Sequence, residues 1–143
     1  MKISNSFSIS SSALTAQRLR MDVISSNIAN AENGEAVPYR RKTVVMAPNN
    51  LSFDSALNTA MGSNNKIAQG VKITKIEEDQ APFKPVFNPT HPDADSEGYV
   101  YMPNVDILKE MVDMISATRS YEANVTTLNA TKAMISKALQ IGK

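Results

Sequence analysis

All seven prolines of the chain fall between positions 38 and 103, and four of its five glycines between 34 and 98. Both residue types interrupt helices, proline by removing an N–H and clashing with the preceding turn, glycine by its backbone entropy. Two long flanks are thereby left free to be helical around a middle that is not. In the first flank Leu14, Gln17, Met21, Ile24, Ile28 and Ala31 recur at spacings of three and four, one face of a helix over residues 10–31. Ser10, Ser11 and Ser12 offer N-caps, and Asn33, Gly34 and Pro38 form the stop signal.

In the second flank Ile107, Met111, Met114, Thr118, Tyr121, Val125, Leu128, Lys132, Ile135 and Leu139 alternate in steps of four and three. That spacing predicts a helix over residues 104–141. Pro103 and Asn104 precede it, Asp106 and Glu110 place negative charge at the positive end of its dipole, and Lys137 and Gly142 suit its finish. At ~1.5 Å per residue the two helices would be about 30–35 Å and about 57 Å long. A globule of 143 residues has a radius of gyration near ~14.5 Å, so the second helix would overhang its own domain. A repeat of 3.5 residues kept for about five heptads is what a coiled-coil seam requires. The flanks are expected to pair with each other, with neighbouring copies, or with both.

Between them, residues 39–47 and 71–76 are rich in β-branched residues with partial alternation and read as strands; residues 98–102 are a third candidate. Residues 48–70 are polar and small, with five asparagines, and read as a mobile loop with one helical turn near 55–60. Four prolines in residues 80–95 make that run extended and polyproline-like, unfit for a central strand. The expected organisation is a mainly α protein: an N-terminal axial helix in 1–36, a β-rich, proline-containing middle in 37–103, and a C-terminal axial helix in 104–143.

Composition removes several classes of function. The chain has no cysteine and one histidine, which excludes disulfides, thiolate metal sites and imidazole clusters. Its net charge of +1 supplies no field for nucleic acid or an anionic bilayer. No apolar run approaches the ~20 residues of a membrane span, and the first fifteen residues lack the apolar core of an ordinary signal peptide.

The remaining motifs each have a plain structural reading. Asp93, Asp95, Glu97 and Gly98 resemble the opening of a calcium loop, but Asn104 stands where the bidentate Glu belongs and Pro89 and Pro92 where the incoming helix belongs. A turn is the better reading, so no metal is expected. His91 lies beside these carboxylates without a nucleophile pattern around it, so no catalytic residue and no cofactor are expected either. Arg40, Arg41 and Lys42 form the only basic run, and strand alternation would splay them into a solvated strand or a subunit contact. Asn27, Asn30 and Asn124 interrupt good helical sequence; on the strip of small residues Ala13, Ala16 and Ala29, Asn27 and Asn30 can fix register between packed helices, as buried Asn does in coiled coils. Met21, Met111, Met114 and Met134 sit at helical spacing as core or interface filler.

The run from Ser25 to Ala31 (SSNIANA), then Pro38 to Lys42 (PYRRK), resembles the signature of the bacterial flagellar rod and hook axial proteins. NPTHPDA at 88–94, GYV at 98–100, PNVD at 103–106, Glu110-Met111 and SATRSYEAN at 116–124 are similar to the proximal-rod members in particular. The sequence departs at Glu32-Asn33, where many relatives carry Thr, and residues 48–70 have no counterpart. The resemblance implies a non-enzymatic drive-shaft subunit, exported uncleaved by the flagellar type III export apparatus to the periplasmic side of the inner membrane. It also implies terminal helices that form the inner core of the rod. The partners implied are further copies of itself, other proximal-rod subunits, the ring-to-rod adaptor and distal-rod subunits. The interface expected from the stripes comprises Leu14, Met21, Ile24, Asn27, Ile28, Asn30, Ile107, Met111, Met114, Tyr121, Asn124, Val125, Leu128, Ile135 and Leu139. The rival readings are a soluble helical adaptor, or export-associated binding module, that forms a discrete complex, and a carboxylate enzyme using His91, Asp93 and Asp95, which no nucleophile or phosphate loop supports.

Overall fold

The computed structural model describes residues 3–33, 37–49, 57, 61 and 70–141. Two long helices, α1 (Ile3–Ala29) and α2 (Ile107–Ile141), enclose in sequence four strands: β1 (Lys42–Pro48), β2 (Val71–Glu78), β3 (Lys84–Phe87) and β4 (Tyr99–Met102). The strands form two antiparallel ribbons, β1 with β2 and β3 with β4. The mainly α architecture expected from the breaker-free flanks is the one observed.

Helix α1 begins seven residues before the expected position 10, so Ser10, Ser11 and Ser12 lie inside the helix and are not its caps. Burial explains why these indifferent helix formers are held there. Ser10 is buried, and Ser12 Oγ donates to the Ile9 carbonyl (2.7 Å) and accepts from the Val71 amide (3.1 Å). Gly70, at φ +103°, comes so close that a Cβ would collide with the Ser12 hydroxyl, so this position demands glycine on two counts. At its other end the helix closes with i→i+3 bonds, Ala31 N–H to Ile28 (3.2 Å) and Asn33 N–H to Asn30 (3.4 Å). In α2, Asp106 is the N-cap, its Oδ1 accepting from the amides of Leu108 (3.1 Å) and Lys109 (3.4 Å).

The helices run antiparallel: Arg20 meets Asp113, Met21 meets Thr118 and Asn27 meets Glu110. The buried row of α2 is Glu110, Ala117 and Thr131, at heptad spacing. It lies one residue off the 111, 118, 125, 132, 139 row of the apolar stripe. Small residues decide this, because Ala16 and Ala117 are buried and allow the two helices to approach closely, with Met114, Tyr121, Leu128 and Ile135 half-buried beside them. The remaining apolar core consists of Val23, Ile24, Ala31, Val100 and Val105.

Helix α1 also packs on β1 and β2. Strand β1 starts at Lys42 rather than 39, the Arg41 N–H being bonded to Asn104 Oδ1 instead of to a strand, and β2 runs two residues further than expected. A bulge at Thr74 interrupts the ladder between Val45 and Met46. Strand β3, within the run expected to be polyproline-like, is an addition to the sequence reading. Asn88 N–H donates to Gly98 (2.9 Å), so antiparallel alternation leaves Pro85 at a position whose missing N–H would have pointed away from β4. The prolines restrict β3 to an open edge without preventing pairing. Most of residues 48–70 lies outside the described residues; Leu57 is helical and its carbonyl accepts from Met61 N–H (2.9 Å).

Candidate functional site

The side chains that tie the three parts of the fold together form a buried polar knot where the C-terminal end of α1, the N-terminal end of α2 and the start of β1 converge. Asn27 and Glu110 are each only 1% exposed. Asn27 Nδ2 donates to Glu110 Oε2 (2.9 Å) and to the Lys42 carbonyl (2.8 Å), while its Oδ1 accepts from the Lys42 amide (2.9 Å) and the Tyr39 hydroxyl (3.0 Å). All four hydrogen-bonding positions of the carboxamide are filled. It grips both backbone groups of Lys42 as a neighbouring strand would.

The second oxygen of Glu110 receives the Arg41 guanidinium, Nε at 2.7 Å and Nη2 at 2.6 Å. Arg41, 15% exposed, also approaches Asp79 (3.6 Å) and Asp113 (3.8 Å). Its backbone N–H is held by Asn104 Oδ1 (2.8 Å), and Asn104 in turn donates to the carbonyls of Asp79 and Ala81, both at 3.1 Å. Asp113 pairs with Arg20 across the helices (3.1 Å), and Arg40 lies over the Phe83 ring at 4.5 Å. A buried carboxylate is tolerable only when paired and hydrogen-bonded, and Glu110 meets both conditions.

Beside the knot a cleft of about 280 Å³ is floored by Val23, Ile24, Val44 and Met46 and walled by Arg20, Arg41, Glu110 and Asp113. Both of its carboxylates are engaged in ion pairs, so the cleft, which Lys42 and Thr43 also line, offers a mixed surface without a free carboxylate among the described residues. In the 91–96 turn the polar groups close on themselves. His91 Nδ1 accepts from the Asp93 amide (3.2 Å), and Asp95 Oδ1 accepts from the Ser96 amide (2.6 Å) and hydroxyl (3.1 Å). No three His, Asp or Glu side chains among the described residues are grouped to hold a metal, and no described helix is long and apolar enough to cross a membrane.

The residues expected at the interface divide by position. Ile24 and Asn27 are buried within the chain; Leu14, Met21, Ile28, Asn30, Met114, Tyr121, Asn124, Val125, Leu128 and Ile135 are half-buried; Ile107, Met111 and Leu139 are exposed. Asn27 does link the two helices, whereas Asn30 and Asn124 each donate to a carbonyl four residues back in their own helix. Arg41 corrects the reading of the basic run as solvated: the central guanidinium turns inward. Glu110, Arg20, Asp79, Asn104 and Asp113 were not identified as members of a site. The one legible sign was a carboxylate at 110 in phase with Met114, Ala117 and Tyr121 on a helical face.

Comparison with known proteins matches the two terminal segments separately and the chain as a whole. Residues 7–34 match the family described as flagella basal body rod protein, and residues 96–141 match the flagellar basal body rod FlgEFG protein C-terminal family. The chain is 57% identical to the flagellar basal-body rod protein FlgC of Bacillus subtilis, with 97% of each chain aligned. It is 45% identical to the protein of that name from Escherichia coli O6:H1 over the whole of both chains, and 44% identical to that of Borreliella burgdorferi over 99% of this chain and 98% of the relative. With matched segments covering both helices and identity sustained from end to end, the chain belongs to the flagellar basal-body rod proteins, of the FlgC type.

Proposed function

We propose that this chain is a self-assembling subunit of the flagellar proximal rod, joined to its neighbours through its terminal helices and carrying torque from the membrane ring towards the hook. The observation that carries the reading is end-to-end similarity to FlgC rod proteins. The surface supports it: among the described residues seventeen large apolar side chains are exposed against seven buried apolar ones, a ratio suited to a part that is covered in an assembly. Its neighbours are further copies, other proximal-rod subunits, the ring-to-rod adaptor and distal-rod subunits. It reaches the periplasmic side of the inner membrane through the flagellar export apparatus without a cleaved signal peptide, and it performs no catalytic step.

In this reading the polar knot has a mechanical role. Closely packed long helices resist shear, and the Asn27–Glu110–Arg41 bonds couple the β1–β2 ribbon to the helix pair, so the middle cannot rotate about the axial core. Helices α1 and α2 are marginal alone and gain protection on joining the rod. Amide hydrogen exchange on the purified chain and on basal bodies isolated from cells tests this. The expected outcome is exchange in both helices that is far slower in the basal body than in the free chain, whose marginal fold still melts cooperatively. Absence of the chain from basal bodies, or full protection of the free chain, would favour the adaptor reading.

A further inference from the structure

Viewed along their axes, the paired helices present opposite textures on their two outer sides. On α2, Leu108, Met111, Val112 and Ile115 lie at i, i+3, i+4 and i+7 and are between 50% and 75% exposed. With Met114 half-buried and Ala117 buried on the inner side, the start of α2 carries apolar residues on an outer face as well as on its inner one. On α1, the exposed row at the same three- and four-residue spacing is Ser11, Thr15, Arg18, Asp22, Ser25 and Ala29, which holds no large apolar residue. One side offers bulk; the other ends, at Ser25 and Ala29, in a floor of small residues, with Asp22 and Arg18 further along. The antiparallel pairing of Asn27 with Glu110 and Met21 with Thr118 puts Ser25 and Ala29 at the height of the α2 patch. Charge also matches at that end: Lys109 flanks the patch, and Asp22 is the charged group of the floor nearest Ser25, with Arg18 a further turn away, all three exposed.

Resting on the rod reading above, we infer that the 108–115 face of α2 docks on the outward Ser25–Ala29 side of α1 in a second copy of this chain. Large side chains set over small ones allow close helix approach. The contact is heterologous, because the two faces differ, and such contacts continue from copy to copy into a ring or helix where a bulky face meeting itself would stop at a pair. The SSNIANA segment then serves two surfaces at once, with Asn27 locking the chain internally and Ser25 and Ala29 receiving the neighbour.

The absence of cysteine makes disulfide trapping clean. The chain would be replaced in its own cells by Val112→Cys/Ser25→Cys, and separately by Met111→Cys/Ala29→Cys in case one pair is poorly spaced or folds badly. Basal bodies would then be isolated, mildly oxidised and separated without reductant. The expected result is a ladder reaching at least three copies with a double variant and none with its single variants. Three results would overturn the inference: a dimer from Val112→Cys alone, cross-links only to a different rod protein, or motile cells with intact rods and no ladder from either pair. Absence of the unsubstituted chain from basal bodies would instead overturn the rod reading itself.

Discussion

A guanidinium and a carboxylate sealed between two helices set the local energetics. Removing one partner of a buried pair leaves an uncompensated charge and costs ~3–5 kcal/mol, whereas replacing both with apolar residues of similar volume is often neutral. Arg41→Ala is therefore expected to lower the urea midpoint of the isolated chain by the equivalent of ~3–5 kcal/mol, with Arg41→Met/Glu110→Met recovering part of the loss, since the Asn27 N–H that Glu110 accepted is then left unpaired. A double variant as unstable as the single one would show that Arg41 acts through packing alone. Asn27 was legible in the sequence because an amide on an apolar helical face needs partners. Arg41 was not, because its partner Glu110 stands 69 residues away and local alternation said nothing about which of three basic side chains would turn inward.

Helix α2 is stiffened and weakened by the same groups. Thr118, Ser120, Asn124, Thr126, Thr127 and Thr131 each donate to the carbonyl four residues earlier. This satisfies them within the helix, Thr118 also reaching Met21 Sδ (3.6 Å), but leaves their low helix propensity uncompensated. Thr126 and Thr127 are exposed, so Thr126→Ala/Thr127→Ala is expected to stabilise the chain by up to ~1 kcal/mol, read as a raised thermal midpoint of the helical circular dichroism signal. The extent of α2 was legible because Pro103 and Gly142 bracket it, whereas the start of α1, with no breaker before it, was not. The phase of the α2 seam was not: counting apolar residues selects Met111 and Val125, while helix contact selects whichever row is small, here Ala117. β3 escaped detection for a related reason, since Pro85 forbids a central strand and leaves open an edge that only β4 could reveal.

At the scale of the molecule the chain exposes 10,202 Å², against roughly 7,300 Å² for a compact monomer of its mass. Rod subunits held side by side would cover much of that excess, and the exposed faces of the helices are the parts best placed to be covered. One joint is closed within the chain itself. Asn49 N–H donates to the Gly70 carbonyl (2.9 Å), and Ser12 anchors Val71 immediately beyond (3.1 Å). Positions 49 and 70 are thus fixed side by side, whatever length of sequence joins them. Lengthening a connection whose ends are already held together costs only ~0.6 kcal/mol per doubling. A tag inserted between 49 and 70 is expected to leave swimming intact, whereas the same tag inserted at Ser25 should abolish it. The two bonds then work as a clasp, and sequence added behind the clasp leaves the shaft as it was.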